Sequence, residues 1–146
     1  MDENWVPQIV LVGCVKKKRD YESLAKNLYV SPLWKFRRVY AEQLGCPWYI
    51  LSAKYGLLLP DDRIKPYDLM LKEKCYEWSQ RVLDKLIARE LVLKGKKIEV
   101  HAGKHYVEFG LEEGLQKAGA LVHRPLKGYG FGSQLKWYKE TLDTKK

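Results

Sequence analysis

Ser52, Lys54 and Tyr55 leave an apolar run, Trp48-Tyr49-Ile50-Leu51, as a group. Asp61, Asp62, Tyr67 and Asp68 follow in the same segment, "SAKYGLLLPDDRIKPYD". Ordinary connections need only a few turn residues. Aspartates at the end of a strand are candidate general bases, and a tyrosine beside them offers a phenol or a stacking face. Asp62 and Asp68 are therefore candidate catalytic carboxylates, and Ser52, Lys54, Tyr55 and Tyr67 candidate substrate contacts. Each aspartate also has a plainer reading. Pro60-Asp61-Asp62 is good turn chemistry, and Asp68 precedes a long periodic segment that it would cap.

Three other stretches carry comparable chemistry. "GCVKKKR", from Gly13 to Arg19, places Lys16 and Lys17 where they can meet phosphates. It lacks the spacing of a P-loop. Cys14 reads as a small buried residue rather than a nucleophile, since no base lies near it in sequence, and it joins the candidate substrate contacts. In "HAGKHY", His101 and His105 bracket Gly103-Lys104. No third ligand accompanies the two histidines, so the spacing points to no metal site. His101 is a candidate catalytic group, and Lys104 and Tyr106 are candidate substrate contacts. In "PLKGYGFGS", Gly128, Gly130 and Gly132 surround Tyr129 and Phe131. That mixture admits a backbone closely and lets Phe131 stack on a base; its plainer reading is a flexible connection whose aromatics pack inward.

These residues need elements to hold them. Ile9 to Val12 is a continuous aliphatic strand. Asp20 is placed to cap a short helix with Tyr21, Leu24, Ala25 and Leu28 on one face. Ser31-Pro32 starts a helix that Gly45 ends and Pro47 blocks. Trp48 to Leu51 is a second strand. Leu71 to Leu91 has helical spacing, with Leu71, Cys75, Trp78, Val82 and Leu86 aligned. Ile98 to His101 is a third strand, Tyr106 to Ala118 a helix weakened by Gly110 and Gly114, and Leu121 to His123 a fourth strand. Ser133 is placed to cap a last helix, and the tail from Thr144 to Lys146 reads as frayed. The alternation predicts a single α/β domain over residues 1–146, a four-stranded parallel sheet between two helical layers. Ligands bind beyond the carboxyl ends of such strands. That edge collects Gly13 to Arg19, Ser52 to Asp68, Ala102 to Tyr106 and Pro125 to Ser133.

The chain has 146 residues, 46% of them apolar, enough for one domain with a core. Its formal charge is +9, which favours a polyanionic partner, DNA or RNA. The three cysteines form no C-x-x-C pair, arguing against a disulfide framework and a thiolate zinc site. No apolar run is long enough to span a bilayer, and the N-terminus does not read as a signal peptide. We expect a cytoplasmic protein with no membrane partner, and favour a monomer.

"LYVSPLWKFRRVYAE", "WYILSAKYGLLLPDDRIKPYD", "HAGKHY" and "PLKGYGFGSQLKWY" occur in that order. Together, from Val12 to Tyr138, they resemble a family of small bacterial, archaeal and phage domains of unknown function. The first half is also distantly similar to a domain of archaeosine synthase, an enzyme of transfer-RNA modification. In architecture both look like the uracil-DNA glycosylase superfamily. That resemblance implies a three-layer α/β/α sandwich whose four-stranded parallel sheet has the order 2-1-3-4. The water-activating Gly-x-Asp-Pro-Tyr-His pattern of that superfamily is replaced here by "GCVKKKRD".

The leading expectation is a nucleic-acid-directed enzyme that cleaves or exchanges the N-glycosidic bond of a modified or damaged base. Asp62 or Asp68 would position water or stabilise the sugar cation, and His101 or Lys104 would hold phosphate or the leaving base. Tyr55, Tyr67 or Phe131 would stack on a base turned out of its helix. The scheme requires no cofactor. The competing expectations are a non-catalytic nucleic-acid-binding module and an enzyme acting on free nucleotides.

Overall fold

The computed structural model describes residues 5–144. Lys145 and Lys146 of the expected frayed tail lie outside them.

The first strand, β1 (Ile9–Gly13), is buried along its whole length, as a continuous aliphatic run between helical layers must be. A two-residue strand, β2 (Ser23–Leu24), leads into a short helix, α1 (Ala25–Leu28). Asp20 therefore caps nothing: the helix starts five residues later, and Tyr21 is exposed rather than on its inner face. The next helix, α2 (Pro32–Leu44), begins as the sequence requires. The Ser31 hydroxyl accepts a hydrogen bond from the Trp34 amide at 3.1 Å, and Gly45 closes the helix at φ 73°.

β3 (Trp48–Ser52) is followed by β4 (Gly56–Leu58), and β5 (Arg63–Ile64) pairs antiparallel with β2. The helix α3 (Tyr76–Glu90) starts five residues after Leu71, with Cys75 at its cap position. β6 (Lys97–His101) and α4 (Lys104–Val107) follow. Gly110, at φ 117°, separates α4 from α5 (Leu111–Lys117), so the segment expected as one helix is two. β7 (Leu121–His123) and α6 (Phe131–Thr144) complete the fold. Because α6 begins at Phe131, Ser133 lies inside its first turn and is not its cap.

The central sheet has five strands rather than four, in the order β4-β3-β1-β6-β7. The four expected strands are all parallel and adjacent in the order β3-β1-β6-β7. The addition is β4, antiparallel to β3, with Ile50 opposite Leu58 and Ser52 opposite Gly56. Two local features turn the chain back. The Tyr55 amide donates to the Ser52 hydroxyl at 3.1 Å, and Gly56 takes φ 76°. Leu57 and Leu58 thus complete the sheet edge instead of lining a loop. Two helical pairs flank the sheet: α2 packs on α6 and β1, while α3 packs on α5 and β4.

Candidate functional site

At the carboxyl end of β1 the chain turns out through Cys14 and Val15 into the basic run Lys16 to Arg19. Opposite it, after β5, comes Pro66-Tyr67-Asp68. Lys16, Lys17, Lys18, Arg19, Asp20, Pro66, Tyr67 and Asp68 line one cleft of about 620 Å³.

Beneath the cleft is a chain of hydroxyls. The Ser52 hydroxyl donates to the Tyr67 phenol oxygen at 2.8 Å, and that oxygen lies 2.7 Å from the Tyr29 phenol oxygen. Ser52 is fully buried, and its carbonyl accepts from the Trp78 indole at 2.9 Å. Burial pushes the Tyr67 and Tyr29 phenols far above the ordinary phenol range, so both are protonated at neutral pH. The Tyr67 hydroxyl thus faces inward. Its ring meets Tyr55 edge-on at 5.5 Å and carries the Lys18 ammonium over its face, 4.4 Å from the centroid. The same ammonium donates to the Lys16 carbonyl at 2.9 Å. Partial burial lowers the Lys18 pKa, against the opposing pull of Cys14 and Asp68.

Asp68 is exposed at the cleft. It caps no helix, because α3 begins eight residues later and receives no side-chain cap bond. Asp62 lies elsewhere. Its carboxylate accepts from the Leu59 amide at 2.9 Å, and its own amide donates back to the Leu59 carbonyl at 3.0 Å. The turn expected at Pro-Asp-Asp is therefore formed, and Asp61 pairs with Lys26 at 2.6 Å.

His101 is the last residue of β6, where the third strand was expected to end, and it is fully buried there. Its Nε2 lies 2.7 Å from a Glu99 carboxylate oxygen and its Nδ1 2.7 Å from the Tyr138 hydroxyl. Tyr40 donates to the same Glu99 oxygen at 2.5 Å, and the Trp5 indole donates to the other at 3.1 Å. Burial depresses the His101 pKa despite the carboxylate, so the ring is neutral. These partners assign Nε2–H as donor to Glu99 and Nδ1 as acceptor from Tyr138. The pair is a charge-assisted hydrogen bond in the core.

The other expected contacts divide in the same way. Cys14 is buried, its sulfur 3.5 Å from the Tyr106 hydroxyl. Tyr106 is buried too, and its oxygen accepts from the Leu71 amide at 3.3 Å and donates to the Met70 sulfur at 3.7 Å. Both support the site from below. Lys54 is exposed, its ammonium 5.4 Å from the Tyr55 ring centroid, while the Tyr55 hydroxyl donates to the Lys65 carbonyl at 3.1 Å. Lys104 and Phe131 are exposed on α4 and at the start of α6, and neither lines the cleft. Of the residues singled out in sequence, Lys16, Lys17, Tyr67 and Asp68 share the cleft; Ser52, Cys14, Tyr55 and Tyr106 form its support.

Further members were missed. Lys18 and Arg19 belong to the same basic run and were readable there. Tyr29 carried no local signal, since it meets Tyr67 only across the fold. Among curated proteins, no sequence matches the chain. A sequence model of the family of unknown function DUF6884 matches residues 9–140. The match takes in every element from β1 through most of α6, and the chain belongs to that family.

Proposed function

We propose that the protein is a nucleic-acid-directed enzyme acting on the N-glycosidic bond of a modified or damaged base, with the cleft between Lys16–Arg19 and Pro66–Asp68 as its site. The observation that carries this reading is Asp68. It is an exposed carboxylate with no capping duty, in one cleft with four consecutive cations and an aromatic ring. The cations hold phosphates flanking the reacting nucleotide. Asp68 orients a water toward the sugar carbon or stabilises the positive charge that develops there. The Tyr67 ring, fixed by its inward hydroxyl, gives the displaced base a flat wall. The four parallel strands stand in the order that the resemblance to uracil-DNA glycosylases implies, and a strand order alone does not fix a reaction.

One observation favours a second reading. Asp62 and His101, also expected to be catalytic, are held in a turn and in the core. A cleft that keeps only Asp68 of the expected catalytic groups suits a non-catalytic binding module as well.

Asp68→Asn separates the two. We expect it to retain oligonucleotide binding and the parental melting temperature, and to lower base release from oligonucleotides carrying modified bases by about a hundredfold. Parental release by the variant would remove Asp68 from catalysis. Binding without release by the parent protein would establish the module. A parent that binds mononucleotides but no oligonucleotide would make it an enzyme of free nucleotides.

A further inference from the structure

Building on the base-directed reading, we propose that the cleft is one end of a longer track for single-stranded nucleic acid, running along residues 66–81. Two further hollows continue from it. One of about 370 Å³ shares Lys16 and Asp68 with the cleft and adds Leu69, Met70 and Lys72. The next, of about 580 Å³, shares Leu69 and has Leu71, Tyr76 and Trp78 in its lining together with Lys74 and Arg81. Successive hollows thus have walls in common.

The floor of this track is a stretch without helix or strand, residues 65–75. It is nonetheless held. The Tyr106 phenol, itself buried, binds the Leu71 amide and the Met70 sulfur from beneath. The surface above combines two kinds of group. Lys72, Lys74 and Arg81 are exposed and extend the positive charge of Lys16 to Arg19; Asp20, Asp68 and Glu77 are the acidic residues among the linings. Beside the cations, Leu69 and Tyr76 stand 48% and 58% exposed.

Cations follow a phosphate backbone, while apolar and aromatic groups take the faces of unpaired bases. A duplex keeps those faces stacked inside and would use only the charge. A mononucleotide would fill the cleft and leave the two further hollows without a role. An acidic peptide would match the charge and offer nothing flat to Tyr76. A single strand uses both features.

The test compares an oligothymidylate of about twelve nucleotides, within the range of single-strand site sizes, with a trinucleotide and a duplex. Binding is read by fluorescence anisotropy over a salt series. We expect the longer strand to bind at least about tenfold more tightly than either. Changing Lys72, Lys74 and Arg81 together to Gln should lower affinity for the longer strand by about tenfold or more and reduce its salt slope by about two, with little effect on the trinucleotide. Changing Lys16 and Lys17 to Ala should weaken both. Equal binding of long and short strands, or a triple variant that binds like the parent, overturns the track while leaving the cleft reading intact. Tighter binding of the duplex overturns the single-strand assignment. Displacement of the strand by an equimolar acidic peptide assigns the groove to a protein partner. Loss of trinucleotide and long-strand binding alike in the parent protein overturns both proposals.

Discussion

Tyr67 shows how one residue can serve two purposes that mutation can separate. Its ring walls the cleft, while its hydroxyl lies between those of Ser52 and Tyr29. Tyr67→Phe keeps the ring and leaves two buried hydroxyls short of a partner, so we expect a loss of about 1–3 kcal/mol in stability by urea denaturation. Affinity for an oligonucleotide should change by less than about twofold, since the ring face and the lysines remain. A large loss of affinity with stability intact would mean that the phenol itself meets the ligand. The same distinction explains what the sequence could reveal. Lys16 and Lys17 were legible because the end of β1 fixes which way its loop goes, and Tyr67 and Asp68 because their residue types suit the chemistry of a site. His101 was legible as a strand end but not as a buried residue, because its surroundings come from far along the chain, Tyr40 and Tyr138. One signal was within reach: Glu99 and His101 stand two apart on a strand and so share a face. Asp62 was legible in its plainer reading, a turn, and the structure forms that turn.

Among the elements, those with strong punctuation were read almost to the residue. Ser31-Pro32 and Gly45 bound α2 because each supplies a backbone geometry or bond that the helix end requires. β4 was not read because three apolar residues in a polar stretch have no period of their own; its strand character comes from pairing with β3. The start of α3 was read too early because apolar spacing persists through a segment that packs without being helical. Where β1 leaves the sheet, Gly13 lets two strand exits meet. A Cβ there would lie 2.8 Å from that of Ala102 and 3.2 Å from the Ala102 backbone. Neither atom can swing aside, so we expect Gly13→Ala to destabilise the protein by about 1–3 kcal/mol. It should also weaken oligonucleotide binding, because the displaced exit carries Lys16 to Arg19. A melting temperature equal to the parent's would show that the two exits have room to spare.

For the molecule as a whole, the buried Glu99–His101 pair sets an acid limit on stability. Burial by itself would raise the Glu99 pKa, but hydrogen bonds from His101, Tyr40 and Trp5 outweigh it and hold the carboxyl below the ordinary range. His101 is depressed by burial, and so is His123. All three groups bind protons more readily in the unfolded chain, so stability rises with pH across their windows. It is fully present above the unfolded histidine pKa, about 6.5. It declines below that value by up to about 1.4 kcal/mol per pH unit for each proton taken up, and declines further as Glu99 begins to protonate. Urea midpoints measured from pH 8 to pH 4 should trace this slope. His101→Gln should be less stable at pH 8 yet show a shallower decline between about pH 6.5 and pH 5. A variant with the parental slope would place the acid limit elsewhere.

The edge pairing of β3 with β4 has a kinetic consequence. Those strands are joined by a three-residue turn, whereas the parallel pairings bring together distant parts of the chain: Val10 with Trp48, and Ile9 with Ile98. Closing a short loop sacrifices the least chain entropy, and local contacts form fastest. The hairpin is therefore the natural nucleus on which β1 and then β6 can assemble. The hairpin carries Ser52 at the end of β3 and Tyr55 in its turn, so we expect this part of the site's support to take shape before the basic run that faces it.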